Sequence, residues 1–448
     1  MNSRVYGPVR DRPAVLVGTS AVALILATSR WGSNIGSSPF YITEALIAMG
    51  IIGWFVATRI QGKRPRNEWV PRNHPGTLFI LFFAYVAFRF AFSLGNGPLL
   101  DWARDGVPYL YGILAFASAA TLARSTQAVR ARTMRIFWWA MGFHAAWASV
   151  VAFSQLDLGL TVPFSDAPLF QLRHDIDAAI LGITAGMCII RILRGNNRSL
   201  PIIGVVVCSA SVLSMSSRAG LISLAGSITL AYVVHYAVVK KGSNQRTFMV
   251  LSLPVVAITA LLVLPLTEPG ERLLATIDTG ISGTEAADSA QGTQRARELV
   301  WHGVIDWTNH DNARTIIGGG FGNNFLEESG TLAYLQGTDY TGVRSPHNWF
   351  IGNYARTGLI GLVLSIVVCA QLISVIVRNR KRIGEDALLS FSALVVVGIL
   401  PVATLGVVLE APHGAVPFWW AAGILLSLRS RHSSNSGHAQ APRYRMAA

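Results

Sequence analysis

An all-helical membrane protein is the fold class the sequence predicts, and three observations predict it. Apolar runs of about 20 residues, the length a helix needs to cross a bilayer, recur along nearly the whole chain. Charged residues make up only 13% of the 448, well below the share of a soluble domain, and mean hydropathy is +0.44. Lys and Arg collect in every second connection between the runs, the pattern that marks cytoplasmic loops. Helices suit such a chain because they satisfy their own backbone groups where no water can.

Taken in order, the runs predict twelve spans, at 13–29, 40–58, 76–94, 107–123, 136–156, 176–193, 200–217, 219–239, 247–266, 348–377, 387–409 and 414–428. The first lacks a following small-residue cleavage site and reads as a retained helix, not a signal peptide. One set of connections carries Arg59, Lys63, Arg64, Arg66 and Arg72, then Arg124, Arg130, Arg132 and Arg135, and so on to Arg378, Arg380, Lys381 and Arg382. The intervening short loops hold only Arg30, Arg104, Arg173 and Arg218. The alternation predicts both termini on the cytoplasmic side and the long connection Thr267–Pro346 on the outer side. The formal net charge of +14 thus belongs to topology, and a nucleic-acid partner is not predicted.

Four regions follow: spans one to nine (1–266), an extracytoplasmic loop (267–346), spans ten to twelve (347–430) and a polar cytoplasmic tail (431–448) predicted to be disordered. The loop is acidic on balance, with eleven carboxylates against Arg272, Arg295, Arg297, Arg314 and Arg344. Within it, 287–307 has helical apolar spacing, with Val300, Val304 and Trp307 at i, i+4 and i+7. Cys188, Cys208 and Cys369 all fall inside apolar spans, so neither a disulfide framework nor a cysteine metal site is predicted.

Ionisable residues inside spans either line a cavity or pair, and those near a boundary can instead reach the interface. Glu44, Arg89, Asp177 and Arg356 lie within about two turns of the predicted outer surface, which favours a water-filled cavity opening there. A Glu44–Arg89 ion pair is one arrangement this allows, and Arg173 and Asn348 border the same depth. Arg218, in the tight turn of SSRAGLISL, suits either phosphate oxygens or ordinary lipid headgroups. Arg295 and Arg297 are about 200° apart on a helix. Arg295 can pair with Glu298, whereas Arg297 shares the inward face with Trp301 and Val304 and is the better ligand contact. IIGGGFGNNF is glycine-rich but has neither a preceding strand nor a following Lys-Ser/Thr, so it reads as a sharp turn and not a phosphate loop. His347 opens a span in SPHNWF, with Ser345 placed as N-cap and Pro346 in the first turn. A helix N-terminus favours neutral imidazole, which can serve as a general base; a capping or interfacial histidine is the other reading. The remaining histidines have no metal-ligand spacing, and no metal is predicted.

Three of these segments, SSRAGLISL, QRARELVW with its following Gly-Phe-Gly-Asn turn, and SPHNWFIGNYARTGLIGLVL, together resemble the O-antigen ligase and polymerase family of integral-membrane glycosyltransferases. The resemblance covers Ser214–Leu364, and LRHDIDAAILGI matches an upstream element more loosely. It implies a GT-C-type fold in the bacterial inner membrane, with the active site on the outer face. It also implies glycan transfer from an undecaprenyl-type diphosphate donor to a glycolipid or glycan acceptor, with no cofactor. Roles carried over by the resemblance put Arg218 and Arg297 on the diphosphate, Arg295 as a further candidate, and His347 on the acceptor hydroxyl. One position departs from the family: Arg356 stands where a Glu is common, which leaves the acceptor open. A ligase that moves a preassembled glycan is the leading expectation and a polymerase of lipid-linked repeats the alternative. A twelve-span transporter is disfavoured because such chains are commonly halved by a cytoplasmic loop after span six, and here the long loop follows span nine.

Overall fold

The computed structural model describes residues 12–428 except 34, 38–39, 61–73, 155–158, 164–167, 196–198, 241, 245, 248, 250, 253–261, 279–283 and 336–343. Most of the predicted ninth span and the whole predicted tail lie outside the described residues.

Helices α1 (Arg12–Ser33), α2 (Ile42–Ile60), α3 (His74–Phe92), α4 (Leu99–Leu110), α5 (Ile113–Ala120), α6 (Gln127–Ser154), α7 (His174–Leu193), α8 (Ser199–Leu213) and α9 (Arg218–Tyr236) form the first part of the bundle. The long connection contributes α10 (Glu268–Ile277), α11 (Glu285–Asn309), α12 (Asn312–Ile317) and α13 (Phe325–Glu328). The bundle closes with α14 (Trp349–Arg378), α15 (Arg380–Glu385), α16 (Ala387–Leu405) and α17 (Pro412–Leu426). A two-residue antiparallel pair, Gly36–Ser37 with Phe40–Tyr41, precedes α2.

Five of these helices, α6, α7, α9, α14 and α16, are long and apolar enough to cross a membrane, among the described residues. Many large apolar side chains face outward, including Trp139 on α6 at 78% exposure and Phe92 on α3 at 71%. Length and outward apolarity together make this a helical membrane protein. The predicted span 107–123 is instead divided: α4 begins earlier, and the chain turns at Tyr111–Gly112 before α5. Gly112 permits the break and a close approach, since a Cβ there would stand 2.1 Å from the Phe83 ring.

At the centre is α7, buried from Ile176 to Ile190 and packed against α8, α9 and α16. Small residues set that packing: a Cβ on Gly220 would stand 2.4 Å from Ala178 Cβ, and one on Gly182 3.1 Å from the Leu224 backbone. Association inside lipid rests on such close contact, because lipid chains are as apolar as the helices. In the same core, Phe79, Phe82, Phe83, Trp349 and Trp419 meet largely edge to face, each pair worth about 0.5–1.5 kcal/mol beyond burial. Trp349 is the first residue of α14 and only 2% exposed, so this cluster fixes where that helix starts.

α14 is broken by Gly358 at φ 67. A helical break frees carbonyls that need donors, and the chain supplies them from its glycine-rich turn. Gly319 N donates to Ala355 O (2.8 Å) and Gly320 N to Arg356 O (3.0 Å), while Tyr85 Oη donates to Thr357 O (2.8 Å). The contact leaves no room for side chains: a Cβ on Gly318 would stand 2.3 Å from the Arg356 carbonyl carbon. Phe321, wholly buried, meets Phe90 and Tyr109 edge on. IIGGGFGNNF is therefore a plug seated in the kink of α14.

Candidate functional site at the loop end of the bundle

The candidate side chains come from a helix start, a helix middle and the turn before a helix. Arg218 is the first residue of α9, whose N-cap Ser217 accepts from Gly220 N (3.0 Å). The guanidinium is half-buried and donates through Nη1 to Thr276 Oγ1 of α10. Its turn also meets the start of α7, where His174 Nδ1 and Ser216 Oγ are 3.0 Å apart.

α11 is capped by Thr284 and buries Ala287, Ala290, Val300, Val304 and Thr308 along one face. Val300 and Val304 pack with Phe325, Leu326 and Ala355, which seats α11 on the outer part of α14. Trp301 then fixes its register by donating from Nε1 to Pro346 O (2.7 Å), the peptide oxygen directly before His347. Arg297, one turn earlier on this face, is half-buried, whereas Arg295 is exposed. Glu298 accepts from Gln294 Nε2 (2.8 Å) in place of the predicted Arg295 partner.

His347 does not lie in the first turn of a helix. Asn348 is the N-cap, accepting from Phe350 N and Ile351 N, so the predicted cap at Ser345 is displaced by three residues. His347 itself has φ 55, an uncommon conformation for a residue with a Cβ and one that is often retained at functional sites. The half-buried imidazole is held down to a pKa of about 4, by desolvation first, then by the positive charges of Arg297 and Arg173, with Asp175 opposing. Arg297 is also within electrostatic reach of Arg218. One cation thus acts on both other members of the predicted set.

Arg173 lies beside the same ring of charge. It caps α7 and gives its Nε to Asp175 Oδ1 (3.2 Å), and its backbone N–H to Asp177 Oδ2 (2.6 Å). Asp177 is 1% exposed, 3.7 Å from His144 Nε2, and serves the start of α7. Arg30 and His413 come into range of Arg173 from α1 and α17. Neither is legible as a site residue in the sequence, because only folding brings their helices to α7.

Glu44 and Arg89 are not an ion pair. Glu44 accepts from Tyr111 Oη and from Tyr41 N (3.1 Å), while Arg89 Nη2 donates to Gly318 O (3.0 Å). Each side chain is thus taken up by its own partner, Arg89 by the plug and Glu44 by the two tyrosines. Arg356 is 4% exposed and belongs to a network the sequence does not reveal. It donates to Glu410 Oε2 (3.3 Å) and to Arg344 O (3.3 Å), and lies 3.8 Å from Asp105 Oδ1. Arg344 forks onto Asp105, Nε to Oδ1 at 3.3 Å and Nη2 to Oδ2 at 2.9 Å. Among the described residues no three His, Cys, Asp or Glu side chains are grouped to hold a metal ion.

The loop helix, the arginine hairpin and the histidine turn thus lie at one end of the bundle, and a comparison with known families bears on that same region. Residues 203–366 match the O-antigen ligase family model. The matched stretch runs from α8 into α14, and so contains Arg218, Arg297, the glycine plug and His347. No curated protein matches the chain. Arg173, Asp105 and Glu410 lie outside the matched segment yet border it in space.

Proposed function

We propose that the protein transfers a preassembled glycan from a polyprenyl diphosphate to an acceptor hydroxyl, at the outer face of a bacterial cytoplasmic membrane. The observation that carries this reading is that the Arg218 turn, the loop helix bearing Arg297 and the His347 turn all fall within the segment that matches the O-antigen ligases, with Trp301 Nε1 of that helix bonded to Pro346 O at 2.7 Å beside His347.

A sugar diphosphate has a good leaving group, so charge on the departing phosphates is what needs stabilising. Fixed guanidinium donors in a partly dry site do this, at about 2.7–4 kcal/mol for each well-placed donor. Arg218 and Arg297 are those donors. The hydroxyl oxygen of the acceptor forms its bond to the anomeric carbon while the bond from that carbon to the diphosphate oxygen breaks. The electron pair leaves with the diphosphate, and the hydroxyl proton passes to His347. A depressed pKa keeps the imidazole free to accept that proton at neutral pH, and a bound diphosphate would raise its basicity by offsetting Arg297 and Arg173. With guanidinium groups supplying the positive charge, no divalent ion is required.

The test is purified full-length protein in vesicles, with a polyprenyl diphosphate glycan, candidate acceptors and EDTA. A single mass increase on a gel is the expected product. A ladder would instead assign polymerisation of lipid-linked repeats, and activity lost to EDTA and restored by added metal would overturn the metal-free mechanism.

A further inference from the structure

Thr276, near the end of α10, is where the long connection takes hold of the arginine hairpin. Its hydroxyl donates to Arg272 O one turn back (2.7 Å) and accepts from Arg218 Nη1. A hydroxyl has one hydrogen and two lone pairs, so with the hydrogen committed to the α10 backbone only lone pairs face the guanidinium. The charges within reach of Arg218 among the described residues are those of Arg297 and Arg272, both positive. α10 packs on α9 and on α11 and is itself firmly held. Thr267 caps it, Ala275 is wholly buried, and a Cβ on Gly270 would stand 1.8 Å from Leu264 O. Arg272 gives Nη1 to Glu268 Oε1 (3.0 Å) within α10 and Nη2 to Ser289 Oγ of α11 (3.2 Å). Thr284, the cap of α11, donates to Glu271 Oε1. α10 is thus bonded on one side to Arg218 and on the other to the helix that carries Arg297.

We infer that Thr276 is a positioning residue for the donor diphosphate, holding the Arg218 guanidinium within reach of Arg297 without neutralising it. The inference rests on the transferase reading above and adds a residue to the diphosphate end of that site. Like charges repel, most strongly where water is scarce, so a half-buried Arg218 beside two other guanidinium groups would swing outward unless something held it. A carboxylate at position 276 would hold it but cancel the charge that a phosphate oxygen needs. A hydroxyl takes one of the five guanidinium N–H groups and leaves the charge whole. The hydroxyl is fixed in turn, because its own hydrogen is tied to α10 and α10 is tied to α11 through Arg272 and Glu271. The spacing of the two arginines is therefore set by a third helix that carries neither of them.

The experiment measures binding of a polyprenyl diphosphate glycan to full-length protein in vesicles, and transfer from it in parallel. Thr276→Val keeps the shape of the side chain and removes the hydroxyl, whereas Thr276→Ser keeps the hydroxyl. The valine variant should bind the donor about fivefold more weakly or worse, with KM for the acceptor unchanged, and the serine variant should restore donor binding. In an Arg218→Ala background Thr276→Val should cause no further loss, because its effect passes through the guanidinium. A merely structural role would weaken binding again there, since independent effects add. Parent-like donor binding in Thr276→Val would overturn the assignment, as would additive losses in the double variant. Should the parent protein bind the donor without transferring its glycan, while Arg218→Ala still absorbs the valine loss, the positioning role stands and the transferase reading falls.

Discussion

His347 is placed by three constraints acting on consecutive peptides. Trp301 holds Pro346 O, Asn348 caps α14, and Trp349 is locked in the aromatic core. The left-handed backbone at φ 55 is the strain those constraints maintain, of order 1–3 kcal/mol. As a base, the imidazole works only while unprotonated, so the rate must fall as pH drops through its pKa. In the free protein that value is about 4, and the acid limb of kcat/KM for the donor should appear only near there. Bound diphosphate offsets Arg297 and Arg173, so the acid limb of kcat should lie at higher pH. Coincident limbs in a pH–rate series would contradict the placement of the arginines beside the ring.

The element that most constrains the site is the broken helix α14. Gly358 and the plug glycines are interdependent: a Cβ on Gly358 would stand 2.4 Å from Ile316 O, at a φ of 67. Gly358→Ala should therefore lower the thermal midpoint of the detergent-solubilised protein and abolish transfer, because straightening α14 moves the Arg356–Asn348 stretch against α11. Retention of both the parent midpoint and activity would show that the kink is incidental. The same plug explains why the sequence misleads locally. GGGFG reads as a turn, but the kink it fills is 40 residues away in sequence from Gly318 to Gly358, and Gly358 itself falls inside a stretch that reads as one continuous span. The cap moves from Ser345 to Asn348 for a related reason: Asn is at least as good an N-cap as Ser, and the turn at His347 makes the later cap available.

At the scale of the molecule, the apolar runs make the helices legible, because a chain that must satisfy its backbone in lipid has few alternatives. The inward choice of Arg297 over Arg295 is legible too, since a helical face follows from spacing alone. What is not legible is partnership across the fold. Asp105 with Arg344, and Glu410 with Arg356, pair across 239 and 54 residues, and nothing in local pattern announces either. Orientation can be checked directly. Gly292 on α11 is exposed, and a Cβ there meets nothing within 4 Å, while Cys188, Cys208 and Cys369 are buried. Gly292→Cys should react with an impermeant maleimide added outside intact cells. Reaction only after the cytoplasmic face is opened would invert the topology and remove the site from the outer surface.

The most direct measurement separates donor binding from chemistry at the three residues. Affinity for the polyprenyl diphosphate glycan should fall about tenfold or more in Arg218→Ala and in Arg297→Ala, with Lys recovering only part because it cannot fork onto phosphate oxygens. His347→Ala should bind that donor as the parent does, yet transfer its glycan at least about 100-fold more slowly. Donor affinity untouched in both arginine variants, or normal transfer by His347→Ala, would contradict the assignment of this site.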